Sequence, residues 1–149
     1  MSAADALLAR LVEIEGGSAW SESDFRTELA SPASRVFLWP SSVAPEGFVL
    51  YRVGPMSDGE PSEGIQYKEA WVMNLAVQPR GQGQGRKLWA AFEAHLQNEE
   101  VGVVQIGLEV ASRNAAALRL YATAGFRLVG VRKNYYKNSD DAQVHLKRL

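Results

Sequence analysis

The sequence contains no cysteine and only two histidines, His95 and His145, which lie far apart in the chain. Disulfides, thiolate metal sites and thiol catalysis are therefore excluded, and we expect no metal cofactor. No apolar run approaches the roughly 20 residues that a membrane-spanning helix needs. Residues 1–15 have no basic start and no uninterrupted apolar stretch, so we expect no signal peptide and a cytoplasmic location.

An excess of charge of one sign is also missing. Sixteen Lys and Arg stand against 17 Asp and Glu, for a formal net charge of −1. Such a balance gives no general attraction for nucleic acid or anionic membrane, so we expect neither as a partner. Hydrophobic residues at 46% and charged residues at 22% are ordinary globular values, and 149 residues suit a single domain over residues 1–149.

Hydrophobic spacing predicts four helices and six strands. The first helix ends at Gly16 and Gly17, and Ser21 with Asp24 forms a capping box for the second. A third helix covers residues 86–96, and a fourth, capped by Asn114, ends near residue 125. The predicted strands are 35–39, 48–53, 67–77, 103–110, 126–131 and 144–146. This order predicts an α/β fold with a mixed central sheet and helices on both faces.

The most informative stretch is a glycine-rich loop between a strand and a helix, with the sequence Arg80-Gly81-Gln82-Gly83-Gln84-Gly85-Arg86. Alternate glycines let the backbone approach a ligand closely, and the following helix offers its positive N-terminal end to an anion. The spacing fits neither G-x-G-x-x-G nor a P-loop. It fits Arg-x-x-Gly-x-Gly, and the alternative is a glycine-rich turn that binds nothing.

Arg-x-x-Gly-x-Gly resembles the acetyl-CoA loop of the GNAT superfamily of N-acetyltransferases. From about Trp20 to Leu149, and most closely in its second half, the chain is similar to the RimI group, which acetylates protein N-termini, including the N-terminal alanine of a ribosomal protein. The residues that carry this similarity are Trp20-Ser21, Phe25, Leu75-Ala76-Val77, Leu108-Glu109-Val110, Asn114 to Ala117, Tyr121, Gly125-Phe126 and Arg132-Lys133-Asn134-Tyr135-Tyr136. One departure is that the strand usually found before the first helix is missing or very short.

This resemblance implies an acetyl-CoA-dependent enzyme with the GNAT fold, in which Glu109 is the general base, through water, and Tyr121 is the acid at the coenzyme sulfur. It assigns acetyl and pantetheine contacts to Leu75, Ala76 and Val77, pyrophosphate contacts to Arg80, Gly81, Gln82, Gly83, Gln84, Gly85 and Arg86, and a pantetheine contact to Asn114. The resemblance also assigns substrate contacts to Trp20, Phe25, Tyr135 and Tyr136.

Each of these side chains has a simpler interpretation. Glu109 could be an exposed strand carboxylate, Tyr121 a core aromatic, and Asn114 only a helix cap. The aromatic residues assigned to the substrate could simply pack, and neither histidine receives a catalytic role.

The acceptor is predicted from amine chemistry. An α-amine, with a pKa of about 7.7–8.0, is far more often neutral at pH 7 than a lysine amine near 10.4, and only the neutral form attacks. A protein N-terminus is therefore the favoured acceptor, and the resemblance implies a ribosomal protein as one candidate. The alternatives are a lysine, a small-molecule amine, or a noncatalytic module that binds acyl-CoA.

Overall fold

The computed structural model describes residues 2–17, 19–56 and 67–149. Within these residues the chain forms four helices and six strands. The helices are α1 (Ala3–Glu15), α2 (Glu22–Ala30), α3 (Gln84–Glu99) and α4 (Ala115–Thr123). The strands are β1 (Ser34–Trp39), β2 (Gly47–Pro55), β3 (Lys68–Val77), β4 (Val103–Ala111), β5 (Arg127–Arg132) and β6 (Ala142–Arg148).

The strands lie in one sheet in the order β1-β2-β3-β4-β6-β5. β3 runs parallel to β4, whereas β1 is antiparallel to β2, and β6 is antiparallel to both β4 and β5. The predicted α/β fold with a mixed sheet is therefore confirmed. In the described part of the chain no strand precedes α1, which begins directly after its N-cap Ser2.

Local signals set the helix ends as the sequence predicts. Gly16 ends α1 with a φ of 74°, and Ser21 and Asp24 exchange both hydrogen bonds of the capping box at the start of α2. The Asn114 side chain accepts a hydrogen bond from the Ala117 N–H at the start of α4. These contacts are local, which is why spacing alone can predict them.

The chain divides into two compact units, of which the first comprises Met1–Arg52 and Met73–Phe92. Its core is built around β2, where Phe48 and Leu50 pack in a cluster with residues of α1 and α2. The next side chain on the opposite face, Tyr51, meets Phe92 of α3 with ring centroids 5.0 Å apart. Because alternate residues of a strand point to opposite faces, helices cover both faces of this part of the sheet, as predicted.

The second unit comprises Val53–Val72 and Glu93–Leu149. In it β4 pairs with β3 from Val103 opposite Lys68 to Leu108 opposite Val72. On its other side, β4 pairs with β6 from Gln105 opposite Arg148 to Ala111 opposite Ala142. β6 is longer than the predicted strand 144–146 because it pairs with β4 along its whole length.

Gly107 on β4 is required by a close side-chain contact. A Cβ atom there would lie 2.4 Å from two ring carbons of Trp71, the residue opposite it on β3. We predict that Gly107→Ala lowers the free energy of unfolding by roughly 1–3 kcal/mol, since overpacking forces neighbouring atoms to move. Urea denaturation measures this change. Gly130→Ala on β5 is the control, because no atom lies within 4 Å of its added Cβ; equal destabilisation of both variants would contradict the prediction.

Candidate functional site

The glycine loop has a backbone that side chains would disturb. Gly81 and Gly83 have φ values of 74° and 75°, a conformation that L residues rarely adopt, and no atom lies within 4 Å of a Cβ built on either. Gly85 instead lies in the first turn of α3, where no left-handed conformation is required. Two of the three glycines are therefore needed for the shape of the loop, and open space lies beside both.

The start of α3 has the electrostatics of an anion site. No acidic residue occupies its first turn, while Arg86 and Lys87 are exposed there. Cations beside the positive end of a helix dipole are unfavourable, and a bound anion would offset that repulsion. Within the described residues, the Oε1 atom of Gln84 is buried without a hydrogen-bond partner. The exposed cations and the helix N-terminus therefore fit an anionic ligand such as a phosphate group.

Arg80 is engaged elsewhere in the first unit. Its guanidinium donates a hydrogen bond to the backbone carbonyl of Glu15 at 2.6 Å, at the C-terminal end of α1. The predicted contact of Arg80 with pyrophosphate stays a prediction. Leu75, Ala76 and Val77 are the last residues of β3, and Ala76 packs in the core cluster.

The two N-terminal aromatic residues differ in exposure. Trp20 is half-buried and packs edge-on against Phe25, with centroids 5.1 Å apart. Phe25 is fully buried and also packs against Phe48. In this structure Phe25 presents no surface to a substrate and supports the position of Trp20 instead. A substrate contact for Trp20 stays a prediction.

In the second unit the predicted residues of β4 and of the segment after β5 come together. The Glu109 side chain on β4 is 15% exposed, and its Oε1 atom lies 3.1 Å from a guanidinium nitrogen of Arg132. That guanidinium lies 5.5 Å from the centre of the Tyr135 ring, which packs edge-on against Tyr136. Burial, followed by the charge of Glu109, raises the pKa of Tyr136. Glu109, Arg132, Tyr135 and Tyr136 therefore form one cluster, here called the carboxylate cluster.

Arg132 belongs to the Arg132-Lys133-Asn134-Tyr135-Tyr136 motif, but the sequence alone does not indicate a role for it. The strand register explains its contact: Ala111 and Arg132 lie opposite Ala142 on its two sides, and Glu109 is one row away on the same face. The small Ala142 side chain leaves room for Arg132 to reach back across β6. Only the pairing of β4, β6 and β5 could have revealed this ion pair.

Tyr121 lies on α4, and Asn114 is the N-cap residue just before it. Tyr121 is 8% exposed and packs against Phe126, and burial raises its pKa to about 12. It therefore stays protonated at neutral pH. Asn114 uses its side-chain oxygen for the helix cap, so any contact with a coenzyme would come from its amide NH₂ group.

Residues 2–17, 19–56 and 67–149 contain neither a candidate metal site nor a candidate membrane-spanning helix. No group of three or more His, Asp or Glu side chains there could hold a metal ion. None of the helices in these ranges has the length and apolar character needed to cross a membrane.

The mixed sheet and the open glycine loop define an α/β protein with a place for an anionic ligand. Sequence comparison identifies its family, because the Acetyltransferase (GNAT) family model matches residues 6–126. The chain belongs to the GNAT family of acetyltransferases.

Its relatives include RimI proteins. N-alpha-acetyltransferase RimI of Mycobacterium tuberculosis is 33% identical over 126 residues, which cover 83% of this chain and 72% of that protein. The [ribosomal protein bS18]-alanine N-acetyltransferase of Escherichia coli K12 is 43% identical over 74 residues, 48% of this chain and 49% of that protein. The matching segment thus spans about half the length of this relative. The crystal structure of the E. coli ribosomal-protein-S18-alanine N-acetyltransferase superposes with a TM-score of 0.71 and 26% identity, covering 99% of this chain and 90% of that one.

We predict that acetyl-CoA raises the melting temperature of the protein, whereas NAD and ATP do not, since a ligand that binds only the folded state stabilises it. Gly83→Val should abolish this shift, because a branched side chain at a φ of 75° would distort the loop and fill the open space. Differential scanning fluorimetry measures the shift.

Gly102→Val is the matched control, because Gly102 also has a positive φ, of 89°, and lies between α3 and β4. It introduces the same backbone strain outside the glycine loop and should retain the shift with acetyl-CoA. Equal stabilisation of the unchanged protein by NAD would contradict the assignment of the loop.

Proposed function

We propose that this protein is an acetyl-CoA-dependent N-acetyltransferase that acts on the α-amine of a protein N-terminus. The observation that carries the proposal is Glu109: a largely buried carboxylate, paired with one arginine, in a chain that also has the glycine loop of its family. A module that only binds acyl-CoA would need the loop but not the carboxylate. We assign the activity to one acetyltransferase domain over residues 1–149.

The choice of acceptor rests on the relatives and on amine chemistry. The M. tuberculosis relative is described as an N-alpha-acetyltransferase, and the E. coli relative as acting on the alanine of ribosomal protein bS18. An α-amine is also the easier acceptor for a single carboxylate base, because about a tenth of it is already neutral at pH 7. A ribosomal protein is one candidate acceptor, and the proposed substrates favour a cytoplasmic location.

Glu109 is proposed to take the proton of the attacking amine through water. Its Oε1 atom is paired with Arg132, whose side chain is 54% exposed. An incoming α-ammonium group carries the same charge as the guanidinium and can replace it near the carboxylate, with one water between the two groups. Loss of the proton to Glu109 through that water then leaves a neutral amine. Tyr135 and Tyr136, in the same carboxylate cluster, are the proposed aromatic contacts of the acceptor peptide.

Tyr121 is proposed to stabilise the leaving sulfur. Acetyl-CoA, when bound, supplies the thioester whose sulfur becomes negative as the acetyl group leaves. The pKa of Tyr121 is about 12, while that of a thiol is about 8.5, so full proton transfer would be uphill by about 5 kcal/mol. Tyr121 therefore acts by donating a hydrogen bond, a role that burial supports because it strengthens the bond and keeps the phenol protonated.

The function is tested with three acceptors at pH 7: a lysine-free peptide with a free N-terminus, the same peptide with a blocked N-terminus and one added lysine, and a small polyamine. We predict that the first is acetylated at least tenfold faster, because the neutral fraction of its amine is larger by about a hundredfold or more. Release of free coenzyme thiol measures the rate. Preference for the blocked peptide or the polyamine would reject the acceptor, and acetyl-CoA binding without any turnover would favour the binding module.

We predict that Glu109→Gln lowers kcat/KM for the free N-terminal peptide most strongly near pH 6.5, with a deficit that shrinks above about pH 8. The reason is that an amine with a pKa of about 7.7–8.0 needs less help to lose its proton as the pH rises. Rates at both pH values for the unchanged and variant proteins measure the ratio.

Glu93→Gln is the control, since Glu93 is 21% exposed and forms an ion pair with Lys147 in the same unit. It should show the same rate as the unchanged protein at both pH values. A deficit of Glu109→Gln that does not change with pH would mean that Glu109 only positions the peptide.

A further inference from the structure

The C-terminal end of α1 depends on side chains from another part of the first unit. The last turn of α1 contains no basic residue to offset its negative end. Instead, Gln78 donates to the backbone carbonyl of Glu13 at 3.0 Å, and Arg80 donates to that of Glu15 at 2.6 Å. Both donors lie in the short segment between the end of β3 and the first glycine of the loop, Gly81. This segment therefore supplies the hydrogen bonds and the positive charge that the end of α1 lacks.

Glu15 also holds the turn that follows α1. Its carboxylate is almost fully buried and accepts hydrogen bonds from the N–H groups of Ala19 at 3.1 Å and Trp20 at 2.8 Å. The carbonyl of Glu15 thus binds the side chain of Arg80, while its carboxylate fixes the backbone that leads to Trp20. One residue connects the glycine loop with a predicted contact for the acceptor peptide.

Arg80 has the hydrogen-bonding capacity to serve a coenzyme and α1 together. A guanidinium carries five N–H donors on a planar fork, and the carbonyl of Glu15 uses one edge of it. A pyrophosphate held by the glycine loop would take further donors of the same fork. Bound anion would then restrict the guanidinium, and the restricted guanidinium would hold the end of α1 and the turn after it more firmly.

We propose that Arg80 is a positioning residue through which coenzyme bound at the glycine loop orders the turn at Ala19 and Trp20 for the acceptor peptide. This inference rests on the proposed function, because it takes acetyl-CoA as the ligand of the loop. Binding of the coenzyme and of the peptide are then coupled, and couplings between sites typically change affinity by about 5- to 150-fold.

Hydrogen exchange of the Ala19 and Trp20 amides, with and without coenzyme A, tests the proposal. In the unchanged protein coenzyme A is expected to slow the exchange of both amides at least fivefold. In Arg80→Gln the slowing should fall below twofold, even at coenzyme concentrations that saturate the shift in melting temperature. The KM of the peptide at saturating acetyl-CoA should rise at least fivefold, with a smaller change in kcat.

Arg10→Gln is the matched control. Arg10 lines the same groove of about 550 Å³ as Arg80 and also donates to a backbone carbonyl, but that carbonyl belongs to Pro45 and not to Glu15. The variant should keep the slowing of exchange by coenzyme A. Equal loss in both arginine variants would assign the effect to general loosening of the unit and overturn the proposal.

A second variant covers the case in which Arg80→Gln does not fold. Glu15→Gln leaves Arg80 and its carbonyl partner in place but weakens the acceptor for the Ala19 and Trp20 amides. We expect faster exchange of these amides, a raised peptide KM and an unchanged melting shift with coenzyme A. A melting shift in the unchanged protein without slower exchange overturns the proposal alone, whereas absence of any melting shift rejects the proposed function as well.

Discussion

The pairing of β6 with both β4 and β5 is the constraint on which the carboxylate cluster depends. It sets Val144 opposite Glu109, and Ala142 opposite both Ala111 and Arg132. Side chains that lie opposite each other in an antiparallel pair share a face. If β6, together with the β5 strand paired to it, shifted by one residue against β4, Arg132 would turn to the face opposite Glu109. The ion pair between Glu109 and Arg132 therefore depends on strand register.

The electrostatics of the second unit keep the proposed base Glu109 and the proposed hydrogen-bond donor Tyr121 in different charge states. Glu109 is a carboxylate that is largely withdrawn from water and therefore needs a positive partner. Tyr121 is buried among apolar neighbours, which raises its pKa to about 12 and keeps it neutral. Burial raises the pKa of Tyr136 too, and the charge of Glu109 adds to the effect. The carboxylate can thus accept a proton, while Tyr121 can donate a hydrogen bond without becoming charged.

Much of the fold could be predicted from the sequence because its signals are local. Glycine stops α1, the capping box starts α2, and Asn114 caps α4, each within about one helical turn. The glycine loop was also predictable, because the positive φ values of Gly81 and Gly83 need a residue type that the sequence shows directly. The resemblance of the motifs supplied the family.

Contacts between distant parts of the chain could not be predicted in this way. The bond between Arg80 and the Glu15 carbonyl joins residues 65 positions apart, and nothing in the loop sequence indicates it. The partner of Glu109 depends on the register of β5, a mostly exposed strand in which no buried apolar face fixes the pairing. The burial of Phe25 depends on its packing against β2. Sequence motifs therefore indicated candidate residues, while packing and pairing determined what these residues contact.

A comparison of two ion pairs explains why Glu109, rather than Glu93, is the proposed base. Glu93 and Glu109 are similarly exposed, at 21% and 15%, and each is paired with a cation. Lys147, the partner of Glu93, is only 22% exposed, and removing it would leave the largely buried Glu93 carboxylate without a compensating charge. Arg132 is 54% exposed, and its charge can return to water at little cost when another cation takes its place. The exposure of the partner, more than that of the carboxylate, therefore distinguishes a pair that can exchange with a substrate ammonium group from one that stabilises the fold.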